Sequence, residues 1–427
     1  MALRTRPRDV DNQLLAGIRD DILKITLPSW IPGAPKKFGT VQHGKLKADE
    51  WRTMGTIILV ISLGIRWSRS NATERQKELL SNFFDLVIAI NHATRRSISS
   101  CNLTSYDEYM GKYVLSATKL FGEALVPNNH LALHLSDVLA RFGPAHGCWA
   151  YPFERYNGII SRISTNNKIG KYSKASLIPV LIRSNCPLAG ELEGTFMRSF
   201  ASAANFRSLL VTAAMQDEFS LLKPLVAPLT TEASWAPHLL ASSDLWRHGD
   251  GQDPLVLPPY EVKKATALST DTYRLLSEHL ANPPGGPYPR AQQLKQVARG
   301  GAFFAAADAS KRSGNSMILF KGGMQTEKLR VGQIAEIFLH TTGLYFKVHR
   351  FPELNRTDRM VNPFASYPEM GVRVCYSSPI SPELVLIGDV VCHFASWRGV
   401  IQGIEHQCVV ALSLDRVRPA GCFKISH

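Results

Sequence analysis

The chain has 427 residues, of which 45% are hydrophobic and 20% charged, and its formal net charge is +14 at pH 7. This length is too great for one compact core, so we expect two or three domains. The longest apolar run, residues 56–65, is about half the roughly 20 residues that cross a bilayer, so no membrane span is expected. The excess of cations favours a polyanionic partner.

The seven cysteines are scattered, odd in number and nowhere arranged as CxxC. This pattern argues against a disulfide framework and favours reduced thiols in an intracellular compartment. The first residues lack the basic start, apolar core and small-residue cleavage site of a secretory signal, so none is expected.

Helix breakers in the first 52 residues predict an irregular lead-in to the fold. Residues 51–220 are mainly helical in pattern. The stretch 74–93 is an example, because its apolar side chains recur at the spacing of one helix face. The breakers are Pro28, Pro32, Gly33 and Pro35, and the apolar face of 74–93 comprises Leu79, Leu80, Phe83, Phe84, Val87 and Ile90.

Residues 223–299 are rich in proline and predict a linker or extended strap with a short helix at 271–280. Beyond residue 300 the period changes to that of strands. We therefore expect a small β-rich domain at 300–427, of the SH3-like or BAH-like barrel type. The predicted strands are 317–320, 332–340, 345–351, 372–376, 384–391 and 408–414.

The most informative block is residues 129–210. Pro152 suits the first turn of a helix, on which Glu154, Asn157 and Arg162 share the face opposite the apolar stripe. The charged residues between Glu154 and Glu191 are all basic, so this surface is suited to phosphate groups. They are Arg155, Arg162, Lys168, Lys171, Lys174 and Arg183.

Plainer interpretations stay open for these residues. A glutamate and two arginines on a helix exterior also describe an ordinary solvated face. His130 and His134, at i and i+4, have the spacing of zinc ligands, but no third ligand with metal-site spacing is near, so core or hydrogen-bonding histidines are preferred. A zinc site formed by Cys392, His393, His406 and Cys408 matches no finger spacing.

The chain resembles fungal transposases of the CACTA (En/Spm) type and their Kyakuja-Dileera-Zisupton relatives. The resemblance extends over nearly the whole chain, and its most specific part is the Pro-Phe-Glu-Arg core with the upstream Phe-Gly-Pro. The matching segments are 28–30, 48–55, 74–77, 127–130, 142–144, 152–158, 165–168, 191–193, 332–334, 389–395 and 412–416.

The resemblance implies an RNase H-like core in which two Asp and one Glu hold two Mg²⁺ or Mn²⁺ ions for phosphoryl transfer. Glu154 aligns with the third acid and would be both catalytic residue and metal ligand. DNA is the implied partner, contacted by Arg155, Asn157, Arg162 and Lys168, and a full-length transposase or a second copy is a further partner. The implied location is the nucleus.

The two earlier Asp residues of the triad have no counterpart here. No Asp upstream of Glu154 ends a convincing apolar strand and precedes Gly, and the one Asp-Gly pair, at 250–251, follows the glutamate. One carboxylate cannot hold two metal ions, so this chain alone is expected neither to bind the metals nor to catalyse strand transfer.

Residues 171–190 separate two segments that are adjacent in the transposases. Their codons can include splice donor, branch-point and acceptor strings, so a translated intron is one interpretation and a real surface loop is the other. The apolar run 177–182 would disturb packing next to the glutamate helix.

Together these observations predict an α+β protein. A mainly helical region at 1–222, containing part of an RNase H-like core and its helical insertion, is followed by the linker at 223–299 and the β-rich domain. The predicted function is that of a truncated, DNA-binding remnant of a transposase. The alternatives are a non-enzymatic host interaction module and a basic DNA-binding protein of other origin.

Overall fold

A computed structural model describes residues 9–122, 126–147, 205, 260–280, 290–299, 302–309, 312–322 and 328–415. All of these except residue 205 belong to one compact unit of the chain. The protein is α+β, with helices mainly in the first part of the sequence and an antiparallel sheet in the last part.

Within the region predicted to be mainly helical, the described residues 51–147 are helical for most of their length. A five-residue π-helical segment, Met54–Ile58, connects α2 to α3. The helices are α1 Asn12–Lys24, α2 Ala48–Thr53, α3 Leu59–Trp67, α4 Glu74–Ala93, α5 Ser100–Phe121, α6 Pro127–Ala132, α7 Leu135–Phe142, α8 Thr270–His279 and α9 Arg356–Met360.

Helix α1 lies within the lead-in that was predicted to be irregular, and that prediction is wrong for its residues. The carboxylate of Asp11 caps the helix by accepting a hydrogen bond from the backbone N–H of Leu14 at 2.7 Å. The buried residues Ile18 and Ile22 lie one helical turn apart. The breakers Pro28, Pro32 and Pro35 come after Lys24, so they do not interrupt this helix.

The sheet has the order β10-β8-β7-β6-β11-β12-β9, and β1, β2 and β3 pair outside this path. All its pairs are antiparallel. Strands β4 and β5 form a separate hairpin. The strands are β1 Ile25–Thr26, β2 Thr266–Ala267, β3 Arg290–Leu294, β4 Gln296–Arg299, β5 Ala302–Ala305, β6 Met317–Lys321, β7 Leu329–His340, β8 Gly343–Arg350, β9 Val372–Tyr376, β10 Pro382–Leu386, β11 Val390–Val400 and β12 Gln407–Ser413.

Strand β11 joins the two halves of the sheet. Its first residues pair with β6, with His393 opposite Ile318, and its later residues pair with β12. The register shifts between Val390 and Cys392. Such an irregularity bends a strand, so β11 can form hydrogen bonds with β6 in one half of the sheet and with β12 in the other.

The sheet is not closed into a barrel, so the predicted barrel-like closure is wrong for the described strands. Its path ends at β10 and β9. The segment after β8 reaches β9 through one isolated bridge, Glu353 with Cys375, and the adjacent Pro352 accepts from Tyr376 N–H at 2.9 Å. Because proline has no N–H to donate, the ladder cannot continue there.

The described helices and the sheet share one hydrophobic core. Ile58 and Phe84 from the helical part belong to the same buried cluster as Trp397 of β11 and Val410 of β12. Strands β2 and β3, which lie within the predicted linker, also belong to the sheet. Within the described ranges, no helix combines the length and apolar character needed to cross a membrane.

Candidate anion-binding groove

The helix that the sequence predicts to be catalytic lies outside the part of the chain that the structure describes. Glu154, Arg155, Asn157, Arg162 and Lys168 all lie outside the described residues, as does the segment 171–190. The structure therefore leaves the catalytic and DNA-binding assignments on that helix as predictions.

His130 and His134 are described, and both are exposed. Their Nε2 atoms are 3.4 Å apart, and their rings meet edge to face. In the described part of the chain, no group of three His, Cys, Asp or Glu side chains is placed to hold a metal ion.

The residues of the alternative zinc site are not brought together. His393 is buried, stacks on Phe304 with ring centroids 4.2 Å apart, and accepts from Trp30 Nε1 at 3.4 Å. Cys408 pairs with Gly399 on β11, six residues beyond His393, which is roughly 20 Å along a strand. Burial raises the pKa of the Cys408 thiol to about 11, which disfavours a thiolate ligand.

The feature that the structure adds is a groove at the place where the sheet fails to close. Its volume is about 670 Å³, a size typical of ligand-binding clefts. Three segments form its walls: the start of β7, the stretch that follows β8, and β9. The lining residues, which we call the basic groove, are 328–331, 350–354, Arg359, Asn362 and 372–375.

Most of the charge in the basic groove is positive. Five lining residues are cations and one, Glu353, is an acid. Glu353 is shared by two of the cations, at 2.9 Å and 2.8 Å. Glu383, on the adjacent strand β10, is shared by two more, at 2.6 Å and 2.9 Å. The cations are Lys328 and Arg359, which contact Glu353, Arg330 and Arg350, which contact Glu383, and Arg373.

Among the described residues, five cations and two glutamates leave an excess of three positive charges around the groove. Arg373 on β9 is half-buried and forms none of the ion pairs found in the described part of the chain. The two shared glutamates hold the other four cations in place and offset only two of their four charges. Such preorganised cations in a partly enclosed cleft raise the local concentration of anions.

The thiol of Cys375, which lines the groove, is held in its protonated form at neutral pH. Cys375 is 3% exposed, and burial raises its pKa to about 12, with Glu353 adding to the rise and Arg373 opposing it. A protonated thiol is a poor nucleophile. The five cations are therefore the groups through which the described lining can act, and they suit anion binding.

Sequence reasoning missed this groove. The available signal was that Arg330, Arg350 and Arg373 lie in strands, each next to at least one apolar residue that is buried, namely Val331, Phe351 and Val374. Which strands lie next to one another is not visible in the local pattern, so the three arginines could not be grouped.

Comparisons of the chain with protein-family models, with curated proteins and with solved structures found no match.

Proposed function

We propose that the protein is a transposon-derived nucleic-acid-binding protein that holds backbone phosphates in the basic groove and does not catalyse strand transfer by itself. The observation that carries the DNA-binding part is the excess of three positive charges around the groove. The resemblance of the sequence to CACTA-type transposases supports the origin. The RNase H-like character of the helical region belongs to the same proposal.

The contacts proposed for the groove are electrostatic. Each phosphate neutralised by a protein cation releases counterions, so the logarithm of the affinity falls by about 0.9 per contact for each unit of log salt concentration. Arg373 is the strongest single candidate for such a contact, because no glutamate competes for its guanidinium in the described structure. An arginine also matches a phosphate with two parallel hydrogen bonds.

Sequence-independent binding follows from the shape of the lining. Among the described residues that line the groove, Phe351 is the one aromatic, and it is only 2% exposed. Its ring lies below Arg398, whose guanidinium carbon is 5.5 Å from the ring centroid. A buried ring offers no platform for stacking bases, so the groove contacts phosphate rather than sequence.

Catalysis within this proposal requires groups from elsewhere. Glu154 would supply one carboxylate of a site for Mg²⁺ or Mn²⁺, and a full-length transposase or another transposase segment would supply the two Asp residues. The basic groove would then help to retain the DNA. In the absence of that partner, the expected activity is binding alone.

The test is equilibrium binding of a fluorescent DNA duplex to the full chain over a range of salt concentrations. Arg373→Gln should weaken binding by roughly tenfold, the value of one lost charged hydrogen bond. Arg274→Gln is the matched control, because Arg274 is an exposed arginine on α8 whose partner is Glu278 at 4.0 Å. Equal losses in both variants, or no duplex binding by the wild type at low salt, would refute the proposal.

The second candidate is recognition of an acidic protein segment. The observation in its favour is that the basic groove is a cleft rather than a flat surface, and clefts of this kind also accept peptide carboxylates. A polyglutamate peptide that binds in an Arg373-dependent manner, combined with absent duplex binding, would support this function in place of the first.

A further inference from the structure

We infer that His130 and His134 form a two-histidine chelate for a divalent transition-metal ion of the zinc or copper type. This inference does not depend on the proposed function, because the two rings lie apart from the lining of the basic groove.

The distance between the two ring nitrogens suits one metal ion. Zinc–imidazole bonds are roughly 2.0–2.1 Å long, so two nitrogens at the corners of a tetrahedron around zinc are about 3.3–3.4 Å apart. The observed separation of the Nε2 atoms is 3.4 Å. The ring centroids are 4.9 Å apart with an interplanar angle of 77°, so the rings do not stack, and a metal ion is not excluded by ring contact.

The turn that carries the two rings is held in place. The backbone N–H of His134 donates to the carbonyl of Leu131 at 3.1 Å. Ala132, between the two histidines, accepts a hydrogen bond from the hydroxyl of Tyr106 at 2.7 Å. Tyr106 is 1% exposed, and burial raises its pKa to about 12, so it remains a donor at neutral pH. This anchor to α5 preorganises the pair, which lowers the entropic cost of chelation.

Both rings are exposed, so water or an added ligand can fill the other coordination positions of the ion. Without metal, the same separation fits a hydrogen bond from one Nε2–H to the other Nε2. When the ion binds, that proton leaves Nε2 and the ring takes the Nδ1–H tautomer. Both rings then bind the ion as neutral imidazoles through Nε2.

The inference is tested by titrating the full chain with Zn²⁺, followed by calorimetry, and with Cu²⁺, followed by electron paramagnetic resonance. The wild type should bind one ion at this site with nitrogen hyperfine coupling from two imidazoles. His130→Ala and His134→Ala should each weaken that binding at least roughly tenfold. His279→Ala is the control, because His279 is an exposed histidine whose ring contact is with Tyr345.

Unchanged affinity in both His130→Ala and His134→Ala, or a loss of the same size in His279→Ala, would overturn the inference. His134→Asn provides a second variant that keeps a polar side chain at the turn, so a folding defect in the alanine variant does not leave the question undecided. Circular dichroism of each variant checks that the overall helix content is retained.

Discussion

The indole Nε1 of Trp397 donates a hydrogen bond to Asp21 Oδ1 at 3.0 Å, across 376 positions of sequence. Asp21 is 2% exposed. Its other oxygen accepts from Ser62 Oγ at 2.7 Å and forms an ion pair with Arg66. One carboxylate therefore ties α1, α3 and β11 together, which explains how the helical part is fixed to the sheet.

Replacing Asp21 with alanine should destabilise the protein by roughly 3 kcal/mol, the lower end of the range for a broken buried ion pair, because Arg66 keeps some contact with water. Urea unfolding followed by circular dichroism measures this change. Asp9→Ala is the control: its pair with Arg75 is solvent-exposed, and we expect a loss below about 1 kcal/mol. Similar losses in the two variants would contradict the role given to Asp21.

The segment after α1 also docks on the sheet through a close backbone approach. Gly314 lies so near the backbone of Leu27 that a Cβ at position 314 would be 2.1 Å from the Leu27 carbonyl oxygen. Ser29 N–H donates to Asn315 Oδ1 at 2.7 Å beside it. Only glycine fits this contact without displacing backbone.

Gly314→Ala should therefore lower the free energy of unfolding by about 1–3 kcal/mol through overpacking. Gly111 is the matched control, because it lies within α5 and an added Cβ would meet nothing within 4 Å. Gly111→Ala should raise stability by roughly 0.5–1 kcal/mol through helix propensity. Thermal and urea unfolding of the two variants should thus shift in opposite directions, and a neutral Gly314→Ala would show that the docking is loose.

The buried ring of His393 predicts a dependence of stability on pH. Burial lowers its pKa from 6.5 to about 4, although hydrogen bonds to the carbonyls of Asn315 and Phe303 oppose the shift. As the pH falls below about 6.5, His393 binds a proton in the unfolded chain, whereas in the folded chain it stays neutral until about pH 4. The contribution of neutral His393 to the free energy of unfolding is therefore fully present above about pH 6.5, and it is lost progressively as the pH falls to about 4.

Between pH 7.5 and 5, the free energy of unfolding should fall by roughly 2 kcal/mol more in the wild type than in His393→Gln. Urea unfolding at the two pH values measures the difference. The pKa of His92 is also lowered, mainly by burial, but that residue is present in both proteins and cancels in the comparison. Parallel pH profiles for the two proteins would show that His393 is not kept neutral by the fold.

Local periodicity was sufficient to predict elements with one buried face. The helix expected at Glu74–Ala93 is observed at those bounds, and the strand expected at 372–376 is β9. The strand predicted at 384–391 is instead the end of β10, a turn at Ile387–Asp389 and the start of β11. Most of β11 was missed because a run of five residues, His393–Trp397, is buried on both faces and shows no alternation.

Contacts between segments that are far apart in the sequence could not be predicted from local patterns. The basic groove combines residues from β7, β9 and the segment after β8, and their proximity depends on strand order and on the gap left by Pro352. Phe84 and Trp397 belong to one buried cluster, which likewise depends on long-range packing. The local patterns therefore placed in separate regions two residues that share a core in the described structure.

The central claim, that the basic groove holds nucleic-acid phosphates, is tested most directly by the salt dependence of duplex binding in a double variant, Arg330→Gln with Arg373→Gln. Arg350 remains to pair with Glu383, so no acid is left alone. The comparison protein carries Lys77→Gln with Arg274→Gln, which removes the same charge from exposed helix positions. The slope of log affinity against log salt should fall by roughly 2 in the groove variant and change little in the comparison protein. Equal slopes in the two variants would contradict the account.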